Sequence, residues 1–283
     1  MPVVGASGNL ALLDLFLTNG ADADLALLPA AKNNKTQAVT LLLQNGADAN
    51  KLIGYALESS NSVYTQQAIT AGANVANPKL MGLAGTKGNL EIVNAMLAAG
   101  ANPSDALLPA TKANHVGVVQ KLLDSGAGGT APELMAASVV HNSTKLTNLF
   151  LKAGGNAQAG MNAAVSANAN TVLQLLLDEG GQVENPMLIT AVKNNNDAGA
   201  KILMKEGLTG NMREASTGYT MLHYSAKNAN SSLTYALLEH GAVVDSKTNG
   251  DTPLHFAVRN RKGLATVDAL VSAGADVNAV NGK

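Results

Sequence analysis

Five histidines, His115, His141, His223, His240 and His255, are the residues of this 283-residue chain best suited to moving protons or holding a metal. Cysteine is absent, which excludes disulfides, thiolate nucleophiles and Cys-based zinc sites. His223 and His255 stand in matching settings, Thr220-Met221-Leu222-His223 and Thr252-Pro253-Leu254-His255. Neither has a pair of carboxylates close by in sequence. His240 falls at a helix C-terminus, where the helix dipole favours a cation. His141 alone has no structural assignment, and a single histidine is not a catalytic site. The stretch "GTKGNL" (85–90) carries a lysine among glycines without phosphate-loop spacing, and it reads as a turn between helices. The pattern predicts a non-enzyme with no catalytic residues, no metal and no cofactor.

The elements that position these residues repeat. Apolar-apolar-x-x-Gly returns ten times, with corner glycines at Gly20, Gly46, Gly72, Gly100, Gly126, Gly154, Gly180, Gly207, Gly241 and Gly274. Their spacings are 26, 26, 28, 26, 28, 26, 27, 34 and 33 residues, so the chain is an array of similar units. Within 80–102, Leu80, Met81, Leu83 and Ala84 form one apolar stripe that stops at Lys87-Gly88. Leu90, Ile92, Val93, Met96 and Leu97 form a second that stops at Gly100. Each unit is therefore expected to be two short helices. The first stop carries Asn34, Ser60, Gly88, Asn114, Asn142, Asn168 and Asn195 in successive units. Six of these seven are Gly or Asn, the residues that best tolerate a left-handed helix end.

These units resemble ankyrin repeats. "TPLHFAVRNRKGLATVDALVSAGADVNA" (252–279) follows that family's signature nearly throughout, with one extra residue near Lys262, and 220–242 is close behind. The resemblance covers essentially the whole chain. It implies an all-α fold, an ankyrin-repeat solenoid of stacked helix pairs, and a structural role for Thr220, His223, Thr252 and His255 in joining the projecting β-hairpin finger to the first helix. It also makes His115 the usual histidine of the inter-helix turn. Asparagines four residues after a corner glycine can be hydroxylated in this family, which here points to Asn50, Asn211 or Asn278. A cap or turn role is the expected one.

The family's repeat is about 33 residues long, and only the last two spacings match it. Residues 1–207 are thus short repeats of 26–28 residues, and 208–283 are full-length repeats of about 33. Counting back from each corner, both helices keep their length, so the short units are expected to lack the finger, which is kept only in the C-terminal repeats. The first helix then needs its own N-cap. Asp24, Asn50 and Ser104 stand at that place, and Asn77-Pro78 and Asn185-Pro186 read as a cap followed by proline. Neither end carries a polar capping repeat, from which we expect a segment of a longer protein.

One position points to a partner. Just before the first helix stops, the units carry Lys32, Glu58, Lys87, Lys112, His141, Ser166, Lys193, Lys227 and Arg259. Six are Lys or Arg in a chain with 19 such residues, and Asn33, Asn194, Asn228 and Asn260 each follow one of the cations. In the ankyrin arrangement this ridge lines the concave face. It is a candidate groove for a protein partner with an acidic or extended segment. The helix dipole favours a terminal cation by about 0.3–1 kcal/mol, which accounts for any one lysine but not for the same position in every unit.

A net charge of −1 and 3% aromatics argue against nucleic acid. No apolar run approaches 18 residues and no basic leader opens the chain, so no membrane insertion is expected. The reading is a monomeric, cytoplasmic protein-interaction scaffold. Its alternative is the targeting segment of a larger enzyme or effector whose catalytic part lies outside this chain.

Overall fold

The computed structural model describes residues 1–281, and its regular structure is entirely helical. The first pairs are α1 (Pro2–Ser7) with α2 (Leu10–Thr18), α3 (Asp24–Lys32) with α4 (Thr36–Gln44), and α5 (Ala49–Glu58) with α6 (Ser62–Thr70). Next come α7 (Pro78–Lys87) with α8 (Leu90–Ala98), and α9 (Ser104–Lys112) with α10 (Val116–Asp124). After these come α11 (Pro132–Val139) with α12 (Thr144–Lys152), α13 (Gln158–Ser166) with α14 (Asn170–Asp178), and α15 (Asn185–Lys193) with α16 (Asp197–Lys205). The last pairs are α17 (Met221–Lys227) with α18 (Ser231–Glu239), and α19 (Pro253–Arg259) with α20 (Leu264–Ser272).

The helices pack as two compact units. The first comprises Met1–Leu134 with Lys152–Gly154, the second Met135–Leu151 with the chain from Gly155 onward. In each, first helices pack on first helices and second helices on second helices.

Helix ends fall where the sequence places them. Every corner glycine has positive φ, for example +84° at Gly46, and so do all seven residues at the first stop, from Asn34 (55°) to Asn195 (57°). At Gly88 a side chain is excluded twice over. Its φ is +73°, and an added Cβ would lie 2.4 Å from the His115 ring. The His115 Nε2 in turn lies 2.9 Å from the Thr86 carbonyl one repeat earlier.

Small side chains let the first helices approach closely. An added Cβ at Gly5 would sit 2.5 Å from the Ala26 carbonyl, and one at Gly85 would sit 2.6 Å from the Ala106 carbonyl. Around these contacts the first unit buries Leu27, Leu42, Leu52, Ile53 and Met81 completely, each contributing about 1.5–3 kcal/mol by leaving water. The second does the same with Phe150, Met161, Leu173, Leu203 and Leu222, each less than 1% exposed.

Four of the five expected caps are corrected. Asp24 and Ser104 are already the first helical residues and make no cap bond, and Asn50 lies one residue inside α5. The side chain that turns the chain lies two residues earlier. Asp22 accepts the N–H of Asp24 (2.9 Å), Asp48 that of Asn50 (2.9 Å), and Asn102 that of Ser104 (3.1 Å). These are Asx turns, formed as the chain leaves the left-handed corner glycine; α3 and α9 then begin without a side-chain cap, whereas in α5 Asp48 is itself the N-cap. Asn77 does cap α7, accepting from Lys79 N–H at 3.0 Å. Asn185 lies within α15, behind an N-cap Glu184 whose side chain makes no capping bond and instead accepts from Gln158 Nε2 of the preceding repeat at 3.2 Å.

Among the described residues, the long repeats add no strand beyond single antiparallel bridges, Arg213 to Thr220 and Thr248 to Asp251. Arg213 Nη1 ties the two loops together, donating to the carbonyls of Gly218 (2.9 Å) and Lys247 (3.2 Å).

Candidate functional site

All six cations of the ladder are the final residues of first helices: Lys32, Lys87 and Lys112 in the first unit, and Lys193, Lys227 and Arg259 in the second. All six are exposed. His141 follows α11 by two residues and is also exposed.

Their charges are not equally available. In the first unit Lys87 Nζ lies 3.5 Å from the Glu58 carboxylate, a loose and open pair that water screens heavily. In the second unit Lys193 meets Glu214 at 2.5 Å. Arg259 clasps Asp251 with both Nη atoms, at 2.7 and 2.8 Å. Among the described residues no ion pair involves Lys32 or Lys227.

The asparagines beside the cations chiefly finish helices. Asn33 Nδ2 donates to the Pro29 carbonyl (2.9 Å), Asn194 to the Ser166 carbonyl (3.4 Å), and Asn260 to the Lys227 carbonyl (2.8 Å). The last two reach back one whole repeat. Asn228 is exposed directly after α17.

Sequence reasoning missed the surroundings of the second unit's cations. Tyr219, Tyr224, Phe256 and His223 form one ring cluster, with Tyr219 5.1 Å from Phe256 edge-on, 5.4 Å from Tyr224 and 5.7 Å from His223. Arg259 lies 5.9 Å from the Phe256 centroid and Lys193 5.7 Å from that of Tyr224, within reach of a cation–π attraction. A sequence signal was present: four of the chain's eight Tyr and Phe residues fall between 219 and 256.

Electrostatics follow from this packing. Glu214 is held down at about 2, first by Lys193 and then by the hydroxyls of Tyr224 and Thr217, which both donate to it. Asp251 lies well below the usual carboxylate range because Arg259, and then the Asn281 amide, stabilise its charge. The His223 imidazole is fully buried, and burial lowers its pKa. Its Nδ1 accepts the Thr220 N–H (3.2 Å), leaving Nε2–H to donate to the Asp251 carbonyl of the next repeat at 3.2 Å. His255 makes the same inward bond to Thr252 N–H at 3.1 Å. Each of these two histidines thus ties the residue before its helix to that helix, and His223 also reaches the loop of the next repeat.

His240 Nδ1 lies 2.8 Å from the Ala236 carbonyl at the end of its helix. Among the described residues no three His, Asp or Glu side chains converge in a way that could hold a metal ion. No helix is long and apolar enough to cross a membrane.

Comparison with known proteins agrees with this architecture. The family model for ankyrin repeats in three copies matches residues 188–281. Among solved structures, the ankyrin repeat domain of human ASB11 is similar over 69% of this chain and 98% of its own, at 19% identity and a TM-score of 0.58. The ankyrin repeat domain of Bcl-3, described as a unique member of the IkappaB protein family, is similar over 68% and 97%, at 23% identity and a TM-score of 0.53. At these identities the likeness is one of fold. No curated protein matches the chain.

Proposed function

We propose, from the match of residues 188–281 to ankyrin repeats and the likeness of the fold to ankyrin repeat domains, that this chain is a non-catalytic protein-interaction scaffold whose first-helix faces receive an extended, acidic segment of a partner protein. The observation that carries this reading is the register of the cations. Six first helices end on Lys or Arg, a regularity that the dipole term does not demand.

The partner's carboxylates would be met by Lys32 and the loosely paired Lys87 in the first unit, and by Lys227 in the second. Lys193 and Arg259 instead lend their aliphatic and planar surfaces to the Tyr219–Tyr224–Phe256 cluster. Tyr and Arg beside a charged rim are the composition of binding hot spots.

The test is a variant with Lys32, Lys87, Lys112, Lys193, Lys227 and Arg259 changed to Gln, compared with wild type in affinity capture from host lysate. Circular dichroism confirms that the fold survives. A partner held by wild type and lost by the variant, more readily at high salt, supports the reading. Equal capture by both would show that these cations only terminate helices.

A further inference from the structure

Asparagine followed by glycine is a chemically labile pair, because glycine puts no side chain in the way of its own backbone nitrogen. The sequence holds four such pairs: Asn19-Gly20, Asn45-Gly46, Asn249-Gly250 and Asn281-Gly282. The last ends outside the described residues. The other three share a dipeptide but not a setting.

Asn19 and Asn45 directly follow α2 and α4. In each, the side-chain amide is held: Asn19 Nδ2 donates to the Leu15 carbonyl at 2.7 Å, and Asn45 Nδ2 to the Leu41 carbonyl at 2.9 Å. The following backbone nitrogen is held too. Gly20 N–H donates to the Leu17 carbonyl at 3.0 Å and Gly46 N–H to the Leu43 carbonyl at 3.1 Å. Bringing that nitrogen onto the side chain would require unwinding a helix end.

Asn249-Gly250 is the opposite case. It forms a two-residue loop between Thr248 and Asp251, which exchange both backbone hydrogen bonds at 2.9 and 3.0 Å. Its φ values, 52° and 86°, are those of a type I′ turn. Asn249 is exposed. Among the described residues, neither its side chain nor the Gly250 N–H makes a hydrogen bond. Both reacting groups are unrestrained, and the bridge that closes the loop is a single residue pair, the kind of contact that opens locally at small cost.

We propose that Asn249 is a site of spontaneous deamidation, and that its conversion loosens the contact between the two long repeats. The Gly250 nitrogen gives up its proton and attacks Asn249 Cγ. The bond from Cγ to the side-chain nitrogen then breaks, and that nitrogen takes up a proton and leaves as ammonia. One water molecule opens the resulting succinimide at either carbonyl, leaving aspartate or isoaspartate. Nothing is oxidised or reduced, and water is the sole co-reactant.

Both products act on the same ties. Thr248 Oγ1 donates to the Gly218 carbonyl of the preceding repeat at 2.7 Å, and Arg213 Nη1 donates to Thr248 Oγ1 at 3.2 Å. The Asp251 carbonyl accepts from His223 at 3.2 Å. Isoaspartate adds a backbone atom to the two-residue loop, so Thr248 and Asp251 lose their facing register. Aspartate places a new carboxylate two residues from Asp251, whose charge already occupies Arg259.

The test incubates the chain at body temperature and mildly alkaline pH, with samples taken over weeks. Peptide mapping by mass spectrometry measures conversion at each asparagine and separates aspartate from isoaspartate. In the folded chain Asn249 should convert at least tenfold faster than Asn19 or Asn45. In concentrated urea the three should convert at similar rates, because the settings that distinguish them are gone. The aged protein should exchange the Thr248 and Asp251 amides at least tenfold faster than fresh protein, with exchange in α2 and α4 unchanged. Asn249→Gln, which must close a larger and slower-forming ring, should melt like fresh wild type and keep its exchange pattern through the same incubation. Equal rates at the three sites in the folded chain would overturn the proposal. So would a rate at Asn249 that rises tenfold or more in urea, which would show that the turn protects it, or rates that stay unequal in urea, which would place the cause in local sequence. Conversion without faster exchange at Thr248 and Asp251 would overturn the loosening.

Discussion

The carboxylate of Asp24 accepts the backbone N–H of Asp48, 24 residues further on, at 2.6 Å, while its other oxygen holds Lys51 at 2.7 Å. Asp24 lies four residues after a corner glycine and Asp48 two after the next. The same step recurs from Asn50 to Asn74 N–H at 2.8 Å, from Gln158 to Gln182 at 2.7 Å, from Asn211 to Val243 at 2.8 Å, and from Asp245 to Asp276 at 3.1 Å. Neighbouring repeats are thus joined side chain to backbone at a position that looks like a helix cap in sequence. This explains Asn50 and Asn211 without any modification.

Removing this link weakens the stack. Asp24→Ala leaves the Asp48 N–H without its acceptor and Lys51 without its partner. A hydrogen bond to a charged acceptor contributes about 1.5–3 kcal/mol, and the partly exposed setting places the loss near the lower end of that range. Urea denaturation should show it as a lowered midpoint, with faster hydrogen exchange at the Asp48 amide. An unchanged midpoint would mean that water replaces the carboxylate freely.

Close approach of the first helices depends on Gly85. Gly85→Ala drives a methyl group to within 2.6 Å of the Ala106 carbonyl, so α7 must move off α9. Overpacking of this kind costs about 1–3 kcal/mol. Gly54→Ala, where an added Cβ meets nothing within 4 Å, should be neutral or slightly stabilising by helix propensity. The difference between the two thermal midpoints isolates the packing effect.

Burial of His223 makes the second unit sensitive to mild acid. Its folded pKa lies below the 6.5 of the free side chain, so the unfolded chain takes up a proton that the folded chain refuses. Stability from this group is fully present above about 6.5 and falls as the pH drops from there through the folded pKa. His223→Gln should be less stable at neutral pH and should lose its share of the decline. Equal slopes in wild type and variant would place the acid sensitivity elsewhere.

A lower window belongs to Glu214. Its pKa falls from 4.5 to about 2 on folding, so its contribution is complete above about 4.5 and is lost as the pH falls towards 2. Lys193→Gln removes the largest cause, and the Glu214 carboxyl, followed by NMR titration, should then titrate nearer its ordinary value. Tyr224→Phe should give a smaller shift in the same direction.

How much of this was legible follows from the range over which each feature is decided. The period of the units, the two helices in each and the left-handed residues at Asn34, Gly46 or Asn195 are set by contacts within a few residues, by apolar spacing and by backbone sterics. They can be read from the chain directly. The ladder was legible as a register of cations, because each is the last residue of its own helix.

What those cations meet was not legible. Glu214 lies 21 residues beyond Lys193, and only the packing of one repeat on the next brings them to 2.5 Å. Asp24 could equally have capped its own helix by its position in the chain. The Asx turn at Asp22 left it free to face Asp48. Sequence alone therefore determined the repeating unit, whose forces are local. Tertiary structure decided which charges, rings and backbone groups meet, since those forces act between units that the chain order keeps about one repeat apart.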